Sequence, residues 1–246
     1  TALGKKVELV IVDNKSDKVE AANAATVLTQ KEKVNAVLGS WGSSLSMSGG
    51  PIFAEAKIPA VALSATNPNV TKGNEYYFRV CFLDPFQGTV GAAYAYNTLK
   101  AKKVAIIREV SNDYSVGLTK FFVDNFVKLT GDDKAVVATA DYNTGDQDFS
   151  AQLTNIKQHN PDVIFAPGNY TESALIIKQA RALGMQTPFI GADTWDLDAF
   201  LKVGGDSVEG TVISTFFAND VQTNNTSEDF LKAYLEEYKK EQAAVA

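Results

Sequence analysis

VAIIREVSNDYSVGLTKFFVDNFVKLTGDDKAVVATA, Val104–Ala140, is the stretch that decides the fold. It opens on Val104–Ile107, a short run in which successive residues are apolar, as in a strand covered on both faces. Val116–Leu129 then carries apolar residues at helical spacing, and Ala135–Ala140 returns to small and β-branched residues. Strand, amphipathic helix and strand in this order, with a connection too long for a hairpin, predict a βαβ crossover between parallel strands.

The same alternation continues in both directions. Val7–Val12, Ala36–Gly39 and Pro59–Leu63 read as strands before it, and Val163–Ala166, Phe189–Gly191 and Val212–Thr215 as strands after it. Lys18–Gln30, Gln87–Leu99, Phe149–Gln158, Thr171–Leu183 and Glu228–Glu241 read as amphipathic helices between and beyond them. Such regular alternation predicts an α/β protein with doubly wound, mostly parallel sheets flanked by helices. The pattern is disturbed around Phe82–Gly88 and Thr215–Asn219 without a Gly/Pro/Ser linker. Two short disturbances suit strands that cross between two lobes, one holding residues 1–85 and 217–246, the other residues 86–216. No solenoid-period repeat or low-complexity tract is present.

Composition narrows the function classes. Among 246 residues, 23 Lys and Arg face 29 Asp and Glu, for a net charge of -6. With no basic run to track a phosphate backbone, nucleic acid is not an expected partner. The apolar runs fall far short of the roughly 20 residues of a membrane-spanning helix, so the chain is not expected to be an integral membrane protein. Cys81 is the only cysteine and His159 the only histidine. An internal disulfide and metal sites built on several thiolates or imidazoles are therefore excluded, and no cofactor is expected. No basic, apolar leader stands at Thr1, so an export signal is either absent or already removed.

In open α/β sheets ligands sit beyond the carboxyl ends of the strands, and there this sequence is rich in small hydroxyl residues. GSWGSS, Gly39–Ser44, leads into a helix through Met47 and Phe53, and SATNP, Ser64–Pro68, follows the next strand. A helix amino terminus offers unpaired N–H groups and a positive dipole end, both suited to a carboxylate. Ser43, Ser64 and Thr66 add hydroxyl donors, although any one serine alone reads more readily as an ordinary N-cap. In the second lobe Tyr114, Asn169 with Tyr170, and Asp193 with Trp195 follow strands. An α-amino acid needs a cation acceptor as well as an anion site, and Asp193 supplies one by a charge-assisted hydrogen bond. Trp41 reads as an aromatic wall for the ligand side chain.

VLGSWGSS at Val37–Ser44, IPAVALSATNP at Ile58–Pro68, YNTGDQDFSAQL at Tyr142–Leu153 and PDVIFAPG at Pro161–Gly168 carry a specific resemblance, supported by QARALGMQTPFIGAD at Gln179–Asp193. In this order they resemble the branched-chain amino-acid-binding (Leu/Ile/Val-binding-like) family of ABC-transporter periplasmic substrate-binding proteins, along essentially the whole chain. The resemblance implies a two-lobed type I periplasmic-binding fold that closes on its ligand, a membrane permease as partner and a monomeric state. It also implies a periplasmic or other extracytoplasmic location, with a lipid anchor where the source has no outer membrane. Carried over, the α-carboxylate contacts fall on Ser43, on Thr66 with Ser64 and Ala65, and on Tyr114, and the ammonium acceptor falls on Asp193. Some members carry an aromatic where this chain has Asn169. Members also begin with another strand and helix and end with further helices, so the chain is expected to be short at both ends.

Two other classes share the strand–helix alternation. A dinucleotide-dependent enzyme wants G-x-G-x-x-G after a strand, a spacing that Gly39, Gly42, Gly49 and Gly50 do not meet. A ligand-sensing domain of a receptor or regulator shares the binding fold, and pocket residues alone do not separate it from a transport protein. A Ser-His-acid triad would need His159, which stands in KQHNPD at the strand end away from the ligand loops. Asp146 and Asp148 read as caps of the helix that starts near Phe149. The expected function is therefore capture of a small amino acid or close analogue, without catalysis.

Overall fold

The computed structural model describes residues 3–218 and 225–238. They form two compact units, residues 3–84 with Asn112–Gly117, and Pro85–Ser111 with the described residues from Leu118 onward. Two segments group otherwise than the sequence-based lobes: the 112–117 turn goes with the first unit, and the helix Asn225–Tyr238 with the second.

In the first unit, helix α1 (Lys18–Thr26) continues as a π-helical turn, Val27–Lys31, and leads to strand β1 (Val37–Leu38). Helix α2 (Ser43–Ala56), strand β2 (Ala60–Ala62) and strand β3 (Tyr77–Arg79) follow. The sheet order is β1-β2-β3 and both pairings are parallel. Asp17 starts α1 by accepting from the backbone N–H groups of Val19 and Glu20, which have no partner inside the helix. The core gathers Ala25, Val37, Phe53, Ala60, Ala62, Val70 and Tyr77, with Phe53 meeting Tyr77 edge to face at 6.0 Å. Val7–Val12, expected as a strand, belongs to no strand among the described residues, and Leu9 and Ile11 lie exposed. Alternation reports an extended backbone and says nothing of whether a neighbour supplies the ladder. Conversely β3 escaped the sequence reading, because three residues flanked by Asn74 and Glu75 carry too little pattern.

The second unit contains helix α3 (Asp84–Ala93), extended by the π-helical turn Tyr94–Thr98, strand β4 (Val104–Glu109) and helix α4 (Asp113–Thr130). Asp84 and the first turn of α4 group with the first unit. Strand β5 (Val136–Tyr142), helix α5 (Ser150–Gln158), strand β6 (Val163–Phe165), helix α6 (Tyr170–Ala182), strand β7 (Phe189–Ile190), helix α7 (Asp198–Gly204) and helix α8 (Asn225–Tyr238) complete it. The order is β5-β4-β6-β7, all parallel, as the Val104–Ala140 stretch predicts. Of the expected strand Val212–Thr215 only a single parallel bridge from Val212 to Ile190 forms.

Strands β4, β6 and β7 are covered on both faces, which is why they read as unbroken apolar runs, whereas β5 alternates buried with exposed residues. On one face Ala105, Ile107 and Ile164 pack with Leu153 and Ile156 of α5 and Ile176 and Ile177 of α6. On the other, Phe122 of α4 stacks on Phe165 with ring centroids 3.9 Å apart. Gly191, just past β7, touches the face of Trp195, and an added Cβ would stand 2.2 Å from the ring. The ring is buried and stacked on Phe200, so it has nowhere to retreat. Gly191→Ala is expected to lower stability by about 1–3 kcal/mol through overpacking, seen as a fall in Tm of several degrees. Gly91→Ala, inside α3 and with an added methyl that meets only ordinary contacts from 3.4 Å outward, serves as the control and should keep or slightly raise Tm, since Ala is favoured over Gly within a helix by up to about 1 kcal/mol. Equal melting points for the two variants would show that the close approach to Trp195 is not a packing constraint.

Candidate functional site

In the first unit the loops after β1 and β2 meet at the amino terminus of α2. Ser43 is the first residue of that helix and is buried; its Oγ accepts from the backbone N–H of Asn67 at 3.1 Å, which leaves its own proton to donate elsewhere. Gly42 precedes it at φ 85, a left-handed conformation that glycine adopts without strain. Ala65 and Thr66 are fully buried. The hydroxyls of Ser64 and Thr66 are buried with no hydrogen-bond partner. An unmade buried hydrogen bond costs about 1–3 kcal/mol, so two within three residues mark a place where polar capacity is held in reserve.

Three side chains that sequence reasoning passed over hold these loops in place. The Tyr77 hydroxyl donates to Gly39 O at 2.7 Å and accepts from Ser40 N at 3.2 Å, fixing the entry to GSWGSS. Burial raises its pKa and outweighs its hydrogen bonds and the Arg79 charge, so it remains a neutral donor. Arg79 donates to Ala65 O at 2.7 Å and to Asn67 O at 2.9 Å, clamping SATNP from behind. Asp113, at the start of α4, accepts from Lys18 Nζ and Ser44 Oγ, both at 2.9 Å, while Asn67 Nδ2 donates to its carbonyl. This network carries the 112–117 turn, and with it Tyr114, into the first unit; Tyr114 is buried. The lobe reading from sequence had set Tyr114 with the second half. A single Tyr or Arg in YYFRV carries no signal by itself, since its partners are backbone carbonyls distant in sequence.

In the second unit Asn169 is the N-cap position of α6 at extended φ, ψ of -67 and 156, and Asp193 opens a single 3-10 turn, Asp193–Trp195, beyond β7. The two loops are tied through Gly168, whose carbonyl accepts from Thr194 Oγ1 at 2.7 Å and Trp195 Nε1 at 3.2 Å. Asp193 is largely buried at 9% exposure. Trp195 belongs to the core, because its indole is consumed by Phe200 and Gly168. Trp41 stays 41% exposed in the first unit.

The Tyr142 hydroxyl lies against Gly168, where a Cβ would come within 1.8 Å of it. Burial, then the charges of Glu109 and Glu172, push its pKa well above 10.0, so the phenol does not ionise at physiological pH. Asp148 accepts from the backbone N–H of Ser150 and so starts α5 as expected, whereas Asp146 closes the 143–146 turn by accepting from Asn143 N at 2.8 Å. His159 is exposed at the end of α5. No group of three or more His, Cys, Asp or Glu suited to a metal occurs among the described residues.

Parallel sheets wound with helices, and donor-lined loops at their carboxyl ends, define an α/β protein with the type I periplasmic-binding fold, and solved structures of that fold superimpose closely on the chain. The chain belongs to the periplasmic binding protein family, which it matches over residues 1–245, within the branched-chain amino-acid-binding group. A leucine binding protein, LivK, from Thermotoga maritima is 42% identical with a TM-score of 0.91, over 98% of this chain and 67% of that one. The branched-chain amino acid transporter substrate binding protein LivJ from Streptococcus pneumoniae, solved in complex with isoleucine, is 33% identical with a TM-score of 0.87, over 96% and 67%. An amino acid binding protein of Pseudomonas aeruginosa is 31% identical over 218 residues, 88% of this chain and 57% of its own length. The Leu/Ile/Val-binding protein homolog 1 of Brucella suis is 28% identical over 94% of this chain and 61% of its own length. The chain thus spans about three fifths of these two relatives.

The Asp113 network makes a pH signature. Partial burial raises the carboxyl, but the hydrogen bonds from Lys18 and Ser44 and the Lys18 charge outweigh it, and its pKa lies below the ordinary aspartate value of 3.8. A depressed carboxylate stabilises the fold above its unfolded value, and that contribution is lost as pH falls through the folded value. The Tm gap between the wild type and Asp113→Asn should therefore be present at pH 6 and close below about pH 3. Calorimetry across that range checks it, and a gap independent of pH would assign the effect to packing rather than charge.

Proposed function

We propose that the chain captures a free amino acid or close analogue outside the cytoplasm, without transforming it, for delivery to the membrane permease of an ABC transporter. The observation that carries this is the donor set of the first unit: the amino terminus of α2 with Ser43, beside two buried hydroxyls, Ser64 and Thr66, that have no partner of their own. Such donors suit a carboxylate: the helix N–H groups only donate, and each hydroxyl has a proton to give. The α-ammonium is assigned to Asp193, a largely buried carboxylate at an equivalent strand end of the second unit. Tyr114 and Ala65 complete the carboxylate contacts, and Trp41 faces the ligand side chain. The 42% identical leucine binding protein and the isoleucine-bound relative support a branched aliphatic amino acid as the first ligand to try. The solitary histidine stands exposed at the end of α5, outside the strand-end loops, which supports binding without catalysis.

A thermal-shift screen of the twenty amino acids tests this. A ligand at 100 times its Kd is expected to stabilise the protein by about 2.7 kcal/mol, and the compound should be recovered unchanged by mass spectrometry. A flat panel, or steady conversion of the ligand, would defeat the reading. Asp193→Ala should weaken binding by about 2–5 kcal/mol in calorimetry, because it strands the ligand's charge without its partner. Unchanged affinity would remove Asp193 from the site.

A further inference from the structure

The loops after β4, β5 and β6 converge on one carboxylate that the binding assignment above does not use. Glu109, the last residue of β4, is fully buried. Its Oε1 accepts from Thr144 Oγ1 at 2.5 Å, and its Oε2 accepts from the backbone N–H of Asn169 at 3.3 Å. Thr144 has spent its only hydroxyl proton on Glu109, so the 2.8 Å contact between Thr144 Oγ1 and Ser111 Oγ has Ser111 as donor. Ser111 Oγ in turn accepts from Thr144 N at 2.9 Å. A second buried acid, Glu172, takes the next backbone N–H, that of Gly145, at 2.9 Å. The chain from Ser111 through Thr144 to Glu109 therefore has a fixed direction, with every proton pointing toward the Glu109 carboxylate.

Asn169 is where this direction reaches the site. Its side-chain Nδ2 lies 3.5 Å from Glu109 Oε1. That is a long bond, but its polarity is decided by the partner, because a carboxylate accepts and never donates. Turning the amide over would set Oδ1 against a carboxylate oxygen, two acceptors facing each other in a buried setting where such repulsion is poorly screened. Oδ1 is left as the outward end, with no donor to it among the described residues. Gly168 pins the same loop from the other side by accepting from Thr194 and Trp195, so the backbone at Asn169 has little freedom to respond by moving away.

We propose that Glu109 is a positioning residue of the binding site: by facing the Asn169 amide with an acceptor-only carboxylate, it turns Asn169 Oδ1 toward the ligand as a second acceptor for the ammonium, in addition to Asp193. The ligand part of this rests on the amino-acid reading above; the orientation of the amide does not. A neutral carboxamide at 109 would present both a donor and an acceptor and would no longer dictate which end of Asn169 points out. Specificity for an ammonium then depends on a residue that never touches it.

The test uses Glu109→Gln, Asn169→Asp and the double variant. In ligand-free 15N-labelled protein, the Asn169 side-chain amide signal, assigned by its loss in Asn169→Asp, is expected to shift in Glu109→Gln; an unmoved signal overturns the orienting role. In calorimetry with L-leucine, or the amino acid that the thermal screen selects, Glu109→Gln is expected to raise Kd on the order of tenfold at a temperature well below its Tm. Glu109→Gln with Asn169→Asp restores one donor facing one acceptor and should recover most of the affinity. If the double variant binds no better than the worse single variant, or if Glu109→Gln binds as tightly as wild type, the proposal is wrong. A wild-type protein that binds none of the twenty overturns the amino-acid reading and the ligand part together, while the amide signal still decides whether Glu109 orients Asn169.

Discussion

Parallel pairing is the constraint on which the remainder rests. Every strand pair in both units is parallel, so within each sheet all carboxyl ends lie along one edge and every connection has to return as a crossover. The loops that leave that edge are thereby gathered from segments far apart in the chain. In the first unit this collects Gly39–Ser44 and Ser64–Asn67; in the second it collects the residues after Glu109, Tyr142, Phe165 and Ile190. In the second unit, burial of β4, β6 and β7 on both faces removes the alternative of a polar sheet surface there and leaves recognition chemistry to the strand ends.

Gathered loops still have to be held. In each unit the holding is done by polar side chains that bond to backbone atoms of the loops: Tyr77 and Arg79 in the first, Glu109, Glu172, Thr194 and Trp195 in the second. Because such groups sit in a low-dielectric setting, each bond is strong and each omission is costly, so the backbone of the loops is left with few alternatives. In the first unit's strand-end loops the hydroxyls of Ser64 and Thr66 are left without a partner. Rigid loops with a few unspent donors are what a small-ligand site requires, since little ordering is left to be done when the ligand arrives.

The second unit shows how tightly the backbone and aromatic packing are coupled. Gly168 offers its carbonyl to Trp195 and its bare Cα to the Tyr142 hydroxyl, while Gly191 lies on the Trp195 ring. The same indole is thus a core side chain, a buried donor and a stop against β7. Its position explains why an aromatic next to Asp193 does not line the ligand site even though it follows the acid by only two residues in sequence.

The amino-acid sequence by itself determined the alternation of strands and helices, the parallel character of the sheets and the strand ends at which Ser43, Ser64, Thr66, Asn169 and Asp193 stand. These are local properties: periodicity and the solubility of each face are written in runs of a few residues. It also showed where a helix starts, as beside Asp148, because such side-chain bonds act over two or three positions. Tertiary structure alone decided that Val7–Val12 has no strand partner among the described residues, that β3 forms, that Tyr114 goes with the first unit, and that Trp195 is core. It alone brought Tyr77, Arg79, Asp113 and Glu109 to the loops. Their bonds link residues up to 95 positions apart, as between Lys18 and Asp113, and a hydrogen bond at that separation leaves no period in the chain that makes it.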